Sequence, residues 1–143
     1  MSFLYSMDIS KNALSAQRLR MDIITQNIAN AETTRTVDGT PYVRQLVVFE
    51  ERKSFKDVLG EQTKKLRYEG VTVAKVVKDE SPLNPVYDPT NPDANEDGYV
   101  MMPNVDTTEE TLDFMAATRS YEANVAALDA IKSMAQKALT IGK

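Results

Sequence analysis

The run Asp93-Ala94-Asn95-Glu96-Asp97-Gly98 is the stretch whose residue types and spacing could do chemistry. Oxygen-bearing side chains at alternate positions, with glycine sixth, follow the first half of an EF-hand calcium loop. The twelfth position, which should be a bidentate glutamate, is Asn104, and Pro92 and Pro103 stand where flanking helices should lie. A turn-rich loop ending at Gly98 is the better reading, because Asp and Asn side chains bond back to the nearby backbone. The remaining carboxylates could form an acid–base pair, but a solvated acidic surface explains them with less. There is no histidine and no cysteine. That excludes disulfides, thiolate metal sites, the Ser/His/Asp triad and the Cys/His dyad. No phosphate loop, dinucleotide fingerprint or nucleophile motif is present. Neither an enzyme nor a bound cofactor is expected.

The elements that carry these residues divide the chain in three. Residues 1–34 form an N-terminal helical arm, 35–105 a β- and turn-rich middle, and 106–143 a C-terminal helical arm. All six prolines and four of the five glycines lie between Glu32 and Val105. The expected class is α+β, with the two long terminal helices paired as a coiled-coil-like stalk and a small β-rich segment inserted between them. Helices over Ser2–Ala31 and Asp106–Gly142 would run roughly 40 and 50 Å. A compact chain of this size has a radius of gyration of only about 14–15 Å. The molecule should therefore be elongated, or order its ends only on binding. Net charge is −4: the arms are close to neutral, and residues 37–110 carry nine basic and fifteen acidic groups. An acidic centre argues against nucleic acid as a partner. No stretch approaches the ~20 apolar residues of a membrane span, and no secretory signal pattern opens the chain.

In the first arm Met7, Leu14, Met21 and Ile28 recur every seven residues. Phe3, Ser10, Gln17, Ile24 and Ala31 form the adjoining row, diluted by its polar members. In the second arm Phe114, Tyr121, Leu128 and Ala135 pair with Ala117, Asn124, Ile131 and Ala138 in the same pattern. Asp106 with Glu109, and Thr107 with Glu110, offer two overlapping capping boxes at its start. Off this seam lies a second small-apolar stripe: Leu112, Ala116, Ala123, Ala127, Met134 and Ile141. One stripe can pack on the first arm, and the other needs a helix from another molecule. Helix propensity accounts for the alanines but not for Met134 and Ile141.

In the middle, Tyr42–Phe49 and Val71–Lys78 read as strands, with Tyr99–Met101 a short third. The charged segment Ser54–Arg67 reads as a loop or short helix. Ser81–Asp97, with four prolines, must be mostly extended or turned.

The stretch Asn27-Ile28-Ala29-Asn30-Ala31-Glu32-Thr33-Thr34 closes the first arm and resembles the signature of bacterial flagellar rod and hook axial proteins. Further segments narrow the resemblance to the proximal rod members of that family. They are Val86-Tyr87-Asp88-Pro89, Asp97-Gly98-Tyr99-Val100, Met102-Pro103-Asn104-Val105-Asp106 and Arg119-Ser120-Tyr121-Glu122-Ala123-Asn124. The resemblance implies a structural subunit of the periplasm-spanning basal-body rod that transmits torque, exported without a cleaved signal peptide. The partners it implies are other copies, other flagellar rod proteins and, during secretion, the flagellar export apparatus. Expected subunit-interface residues are Met7, Leu14, Met21, Ile24, Asn27, Ile28 and Asn30 on the first arm. On the second they are Leu112, Tyr121, Asn124, Ala127, Leu128, Ile131, Met134 and Ile141. Asn27, Asn30 and Asn124 would fix register, although Asn30 reads equally as a helix C-cap. The alternative from another class is a soluble adaptor or export-associated binding protein whose arms form a self-contained hairpin.

Overall fold

Helix α1 covers Phe3–Ala29 and α2 covers Thr107–Ile141, with four strands between them: β1 Gln45–Lys53, β2 Tyr68–Lys78, β3 Asn84–Tyr87 and β4 Tyr99–Met102. This computed structural model describes residues 3–53 and 68–141, so the loop-or-helix expectation for Ser54–Arg67 lies outside the described residues. The class is α+β, as the patterning implied.

The first helix stops two residues short of Ala31. Asn30 turns the chain there: its amide Nδ2 donates to Gln26 O at 2.9 Å, and Asn30 O accepts from Thr33 N at 3.1 Å. The chain then returns through the turn at Gly39, and Tyr42 N donates to Thr33 O at 3.1 Å. Tyr42 N therefore serves the turn, while Arg44 O accepts from Asp79 N at 2.8 Å beside the first ladder pair and Arg44 N donates to Asn104 Oδ1. This is why β1 begins at Gln45, later than the β-branched run suggested.

The strands form two antiparallel ribbons, β1–β2 and β3–β4. In the first, Val48 pairs with Lys75 and Phe49 with Val73, leaving Ala74 as a bulge that adds local twist. In the second, Tyr87 faces Tyr99 and Pro85 faces Met101. The proline-rich stretch thus contributes a strand, which a two-stranded ribbon permits because Pro85 can turn its missing donor outward.

Helices α1 and α2 run antiparallel. Asn27 meets Glu110, Arg20 meets Asp113, and Met21 meets Thr118, so residue numbers fall on one helix as they rise on the other. The first ribbon lies along α1. Gln45 bonds to Asn27 at one end, and Arg52 donates to Asn12 Oδ1 at 3.0 Å near the other. Seven strand residues span about 23 Å, and fifteen helix residues span about 22 Å, so strand and helix keep pace. The α1 surface that lies off the heptad seam, Ala16 and Ile23, is what this ribbon helps to bury.

Gly70 permits the close approach near the helix start. Its φ is +92°, and a Cβ there would sit 3.3 Å from the Ile9 Cα. Alanine is strained in that conformation and crowds the helix backbone as well. Gly70→Ala is expected to destabilise the chain by about 1–3 kcal/mol, read as a lower urea midpoint. An unchanged midpoint would show that the ribbon does not need to touch α1 at this point.

The core among the described residues is thin: Ala16, Ile23, Ile24, Val100 and Ala117 are its buried apolar members. The accessible surface is 10715 Å², against roughly 7400 Å² for a compact monomer of this mass. Both helices leave large apolar side chains in water, among them Leu4, Leu19, Leu112, Met115 and Met134.

Candidate functional site

The site consists of two helical faces and the polar junction that holds them in place. Asn27, on the last turn of α1, is 1 % exposed. Its Nδ2 donates to Gln45 O at 2.9 Å and to Glu110 Oε2 at 3.0 Å. Its Oδ1 accepts from Tyr42 Oη at 2.8 Å and from Gln45 N at 3.0 Å. Both donors and both acceptor sites of the amide are used. This one side chain ties α1 to β1, to the incoming turn and to α2.

Glu110 is equally buried, and its other oxygen accepts from Arg44 Nε at 2.6 Å. Arg44 also lies 3.6 Å from Asp79, 3.8 Å from Glu109 and 4.0 Å from Asp113. Its backbone N donates to Asn104 Oδ1 at 2.9 Å, while Asn104 Nδ2 donates to Ser81 O at 3.1 Å. Burial works against the Arg44 charge, but the hydrogen bond and the charge of Glu110, then Glu109 and Asp79, raise its pKa overall. Burial, followed by the nearby Glu110 charge, raises that of the Tyr42 hydroxyl. Asp79 is held below the usual carboxylate range by the Ser81 hydroxyl and N–H, with Arg44 adding to them.

The start of α2 departs from the double capping box. Asp106 is the cap, its Oδ1 accepting from Thr108 N at 2.8 Å and Glu109 N at 3.3 Å. Glu110 turns instead to Asn27 and Arg44. The two N–H bonds, Thr108 first, lower the Asp106 pKa. A depressed carboxyl pKa stabilises the fold above the unfolded value of about 4, and the contribution is lost as pH falls through the folded value. Asp106→Ala should therefore lower the melting temperature at neutral pH. The gap from wild type should close on acidification below about pH 4, and a constant gap would refute the cap.

The heptad seam of α2 faces α1. Ala117 is buried, while Tyr121, Asn124, Leu128 and Ile131 are half-buried, as are Met7, Leu14 and Met21 opposite. Thr118 Oγ1 lies 3.6 Å from Met21 Sδ. Ile24 is buried within this pairing, and Ile28 is exposed. The asparagines anticipated at an interface have partners inside the chain: Asn27 in the junction, Asn30 at the helix end, and Asn124 with Ser120 O at 2.7 Å. The second stripe stands apart. Leu112 is 63 % and Met134 62 % exposed, with Ala116, Ala123 and Ala127 exposed between them. The side chain of Ile141 lies outside the described residues.

The oxygen-rich loop is a self-bonded turn. Asn95 Oδ1 accepts from Asp97 N and Tyr99 N, and Asn91 Oδ1 accepts from Asp93 N. Asp93 accepts from Thr34 Oγ1 at 2.8 Å and sits 3.6 Å from Arg35. These carboxylates and amides hold the loop and fasten it to the turn after α1. Sequence reasoning missed Tyr42, Arg44, Glu110 and Asn104 as a unit. The available signal was Arg44 itself, a charge inside an otherwise apolar strand pattern.

Two family models match the chain, one on the first arm and one running from the turn before β4 through the second arm. Residues 7–35 match the flagella basal body rod protein model, and residues 96–141 match the C-terminal model of flagellar basal body rod FlgEFG proteins. Among curated relatives, the flagellar basal-body rod protein FlgC of Bacillus subtilis is 47 % identical over 150 residues, covering all of both chains. That of Borreliella burgdorferi is 40 % identical over 99 % of this chain and 98 % of its own. That of Salmonella typhimurium is 40 % identical over the full length of both. With arms, junction and middle all aligned end to end, the chain belongs to the flagellar basal-body rod protein FlgC family.

Proposed function

We propose that this chain is a structural subunit of the flagellar basal-body rod and polymerises through the exposed stripe of α2. The observation that carries the reading is the row Leu112, Ala116, Ala123, Ala127 and Met134, which the chain's own α1 leaves uncovered. Alanines allow helices to approach closely, and the larger residues at the row's ends supply apolar area. Repetition of a head-to-tail contact that does not close yields a helical shaft. Close-packed arms then carry torque, because interdigitated side chains cannot slide without opening voids.

The partners in this reading are further copies and other rod components, and the place of action is the periplasmic rod. Delivery through the flagellar export apparatus suits a thin core, since a chain with few buried apolar residues unfolds at small cost for threading. A self-contained hairpin acting as an adaptor is not favoured, because such a hairpin would hide its apolar stripes.

The experiment is incorporation. A tagged full-length chain expressed in cells lacking their own FlgC-type protein should appear in purified basal bodies and restore rods seen by electron microscopy. A chain that stays monomeric and absent from basal bodies would overturn the reading.

A further inference from the structure

Each helix of the pair has one open side. At about 100° per residue, the circumference of α1 divides in three. Met21 and Ile24 face α2, while Ala16 and Ile23 face the first ribbon. The third side, about 120° round from both, carries Lys11, Arg18, Asp22 and Ala29, all exposed. On α2, Leu112, Ala123 and Ala130 lie at least about 120° round from buried Ala117, and so do the exposed charges Arg119, Glu122 and Asp129. None of these six charged side chains has an ion-pair partner among the described residues.

The two sets of charges match in spacing, sign and side. Lys11 and Arg18 are seven residues apart, and so are Glu122 and Asp129. An interval of seven keeps each pair on one line along its helix. Let α1 of one copy lie antiparallel to α2 of another, with Arg18 opposite Glu122. Lys11 then comes opposite Asp129, and Asp22 falls within one residue of Arg119. The step from Asp22 to Arg18 turns the same way round α1 as the step from Arg119 to Glu122 turns round α2, which is the sense antiparallel neighbours need. The same register sets Ala29 beside Leu112, and Leu4, 63 % exposed, within about half a turn of Met134. The nearby charges do not oppose it. Arg20 is held by Asp113, Glu109 lies beside Arg44, and Asp8 and Lys137 at the outer end are of opposite sign. Lys132 is only about 60° round from Ala117 and so stands on the side toward its own α1.

We infer that the open side of α2 is covered by the third side of α1 from a second copy, antiparallel, with Arg18 against Glu122, Lys11 against Asp129 and Asp22 against Arg119. The inference rests on the rod reading and names the occupant of its stripe. The alanines let the helices approach, and the stems of Lys11 and Arg18 lie over them with their charged heads at the margin. Opposite charges along that margin fix the register and disfavour others. Because α1 and α2 are already antiparallel within a chain, an antiparallel contact between chains leaves every copy pointing the same way. The two surfaces differ, so the contact is heterologous and repeats from copy to copy instead of closing a pair.

The absence of cysteine makes a direct test possible. Full-length Ala29→Cys and Leu112→Cys chains, differently tagged, are expressed together in cells lacking their own FlgC-type protein. Isolated basal bodies are treated with a short bismaleimide. A covalent heterodimer of the two chains is expected. Adding Lys11→Glu and Arg18→Glu to the first chain should cut its yield by about tenfold, since two attractions become two repulsions. Adding Glu122→Lys and Asp129→Lys to the second chain as well should restore it. Basal bodies that contain both chains but yield no heterodimer would overturn the contact and leave the rod reading standing, as would failure of the paired reversal to restore it. A homodimer of the Leu112→Cys chain in its place would put α2 against α2. A link from Ala29→Cys to Thr140→Cys would make the neighbours parallel, and either result overturns the inference. Absence of both chains from basal bodies would overturn the rod reading and this contact with it.

Discussion

Arg44→Met is expected to destabilise the chain by about 3–5 kcal/mol, the largest loss from a single polar substitution. The reason is what stays behind. Glu110 is 1 % exposed and would be left with only the Asn27 amide as a partner. The Arg44 side chain is itself only 14 % exposed, so water cannot readily replace it. By contrast Arg20–Asp113, with both partners a third or more exposed, is worth at most about 1 kcal/mol. Urea unfolding followed by circular dichroism would read the difference. The double variant Arg44→Met/Glu110→Leu should recover part of the loss, because it removes the buried carboxyl group left without its partner. Equal losses in the single and double variants would mean that the buried carboxylate is not the cause.

Met134→Asp is expected to abolish rod assembly while leaving the isolated chain's stability within about 0.5 kcal/mol, as for other exposed substitutions. The asymmetry follows from exposure: the side chain is 62 % in water in the single chain, so a carboxylate there remains hydrated. In the proposed assembly it would be buried against an apolar neighbour at every subunit, an uncompensated charge costing several kcal/mol per contact. Basal bodies from the variant should lack rods and the cells should not swim. Normal motility would exclude this stripe from the interface.

The helical parts were the most legible in the sequence. Sevenfold recurrence from Met7 to Ile28 and from Phe114 to Ala135 is a local property of the chain, and the helices follow it. The distinction between seam and stripe on α2 was legible for the same reason, since one helix cannot cover both. The junction was not. Asn27 and Glu110 are 83 residues apart, and each had a satisfactory local explanation, one as a register-fixing interface residue and the other as a capping partner. Only the fold brings them to the same place as Arg44. The β3 strand was hidden by Pro85, which argues against strands in general but not against a two-stranded ribbon.

Among the attachments between the first ribbon and α1 are two well-separated ones: Gln45 on Asn27, and Gly70 over Ile9. The two points on the helix are about 27 Å apart. A slender rod tied to a stiff neighbour at a single point still bows freely between its ends; tied at both, it is splinted. The β1–β2 ribbon therefore acts as a brace that raises the flexural stiffness of α1. Loosening the Gly70 attachment alone should yield a shaft that assembles yet whips under load.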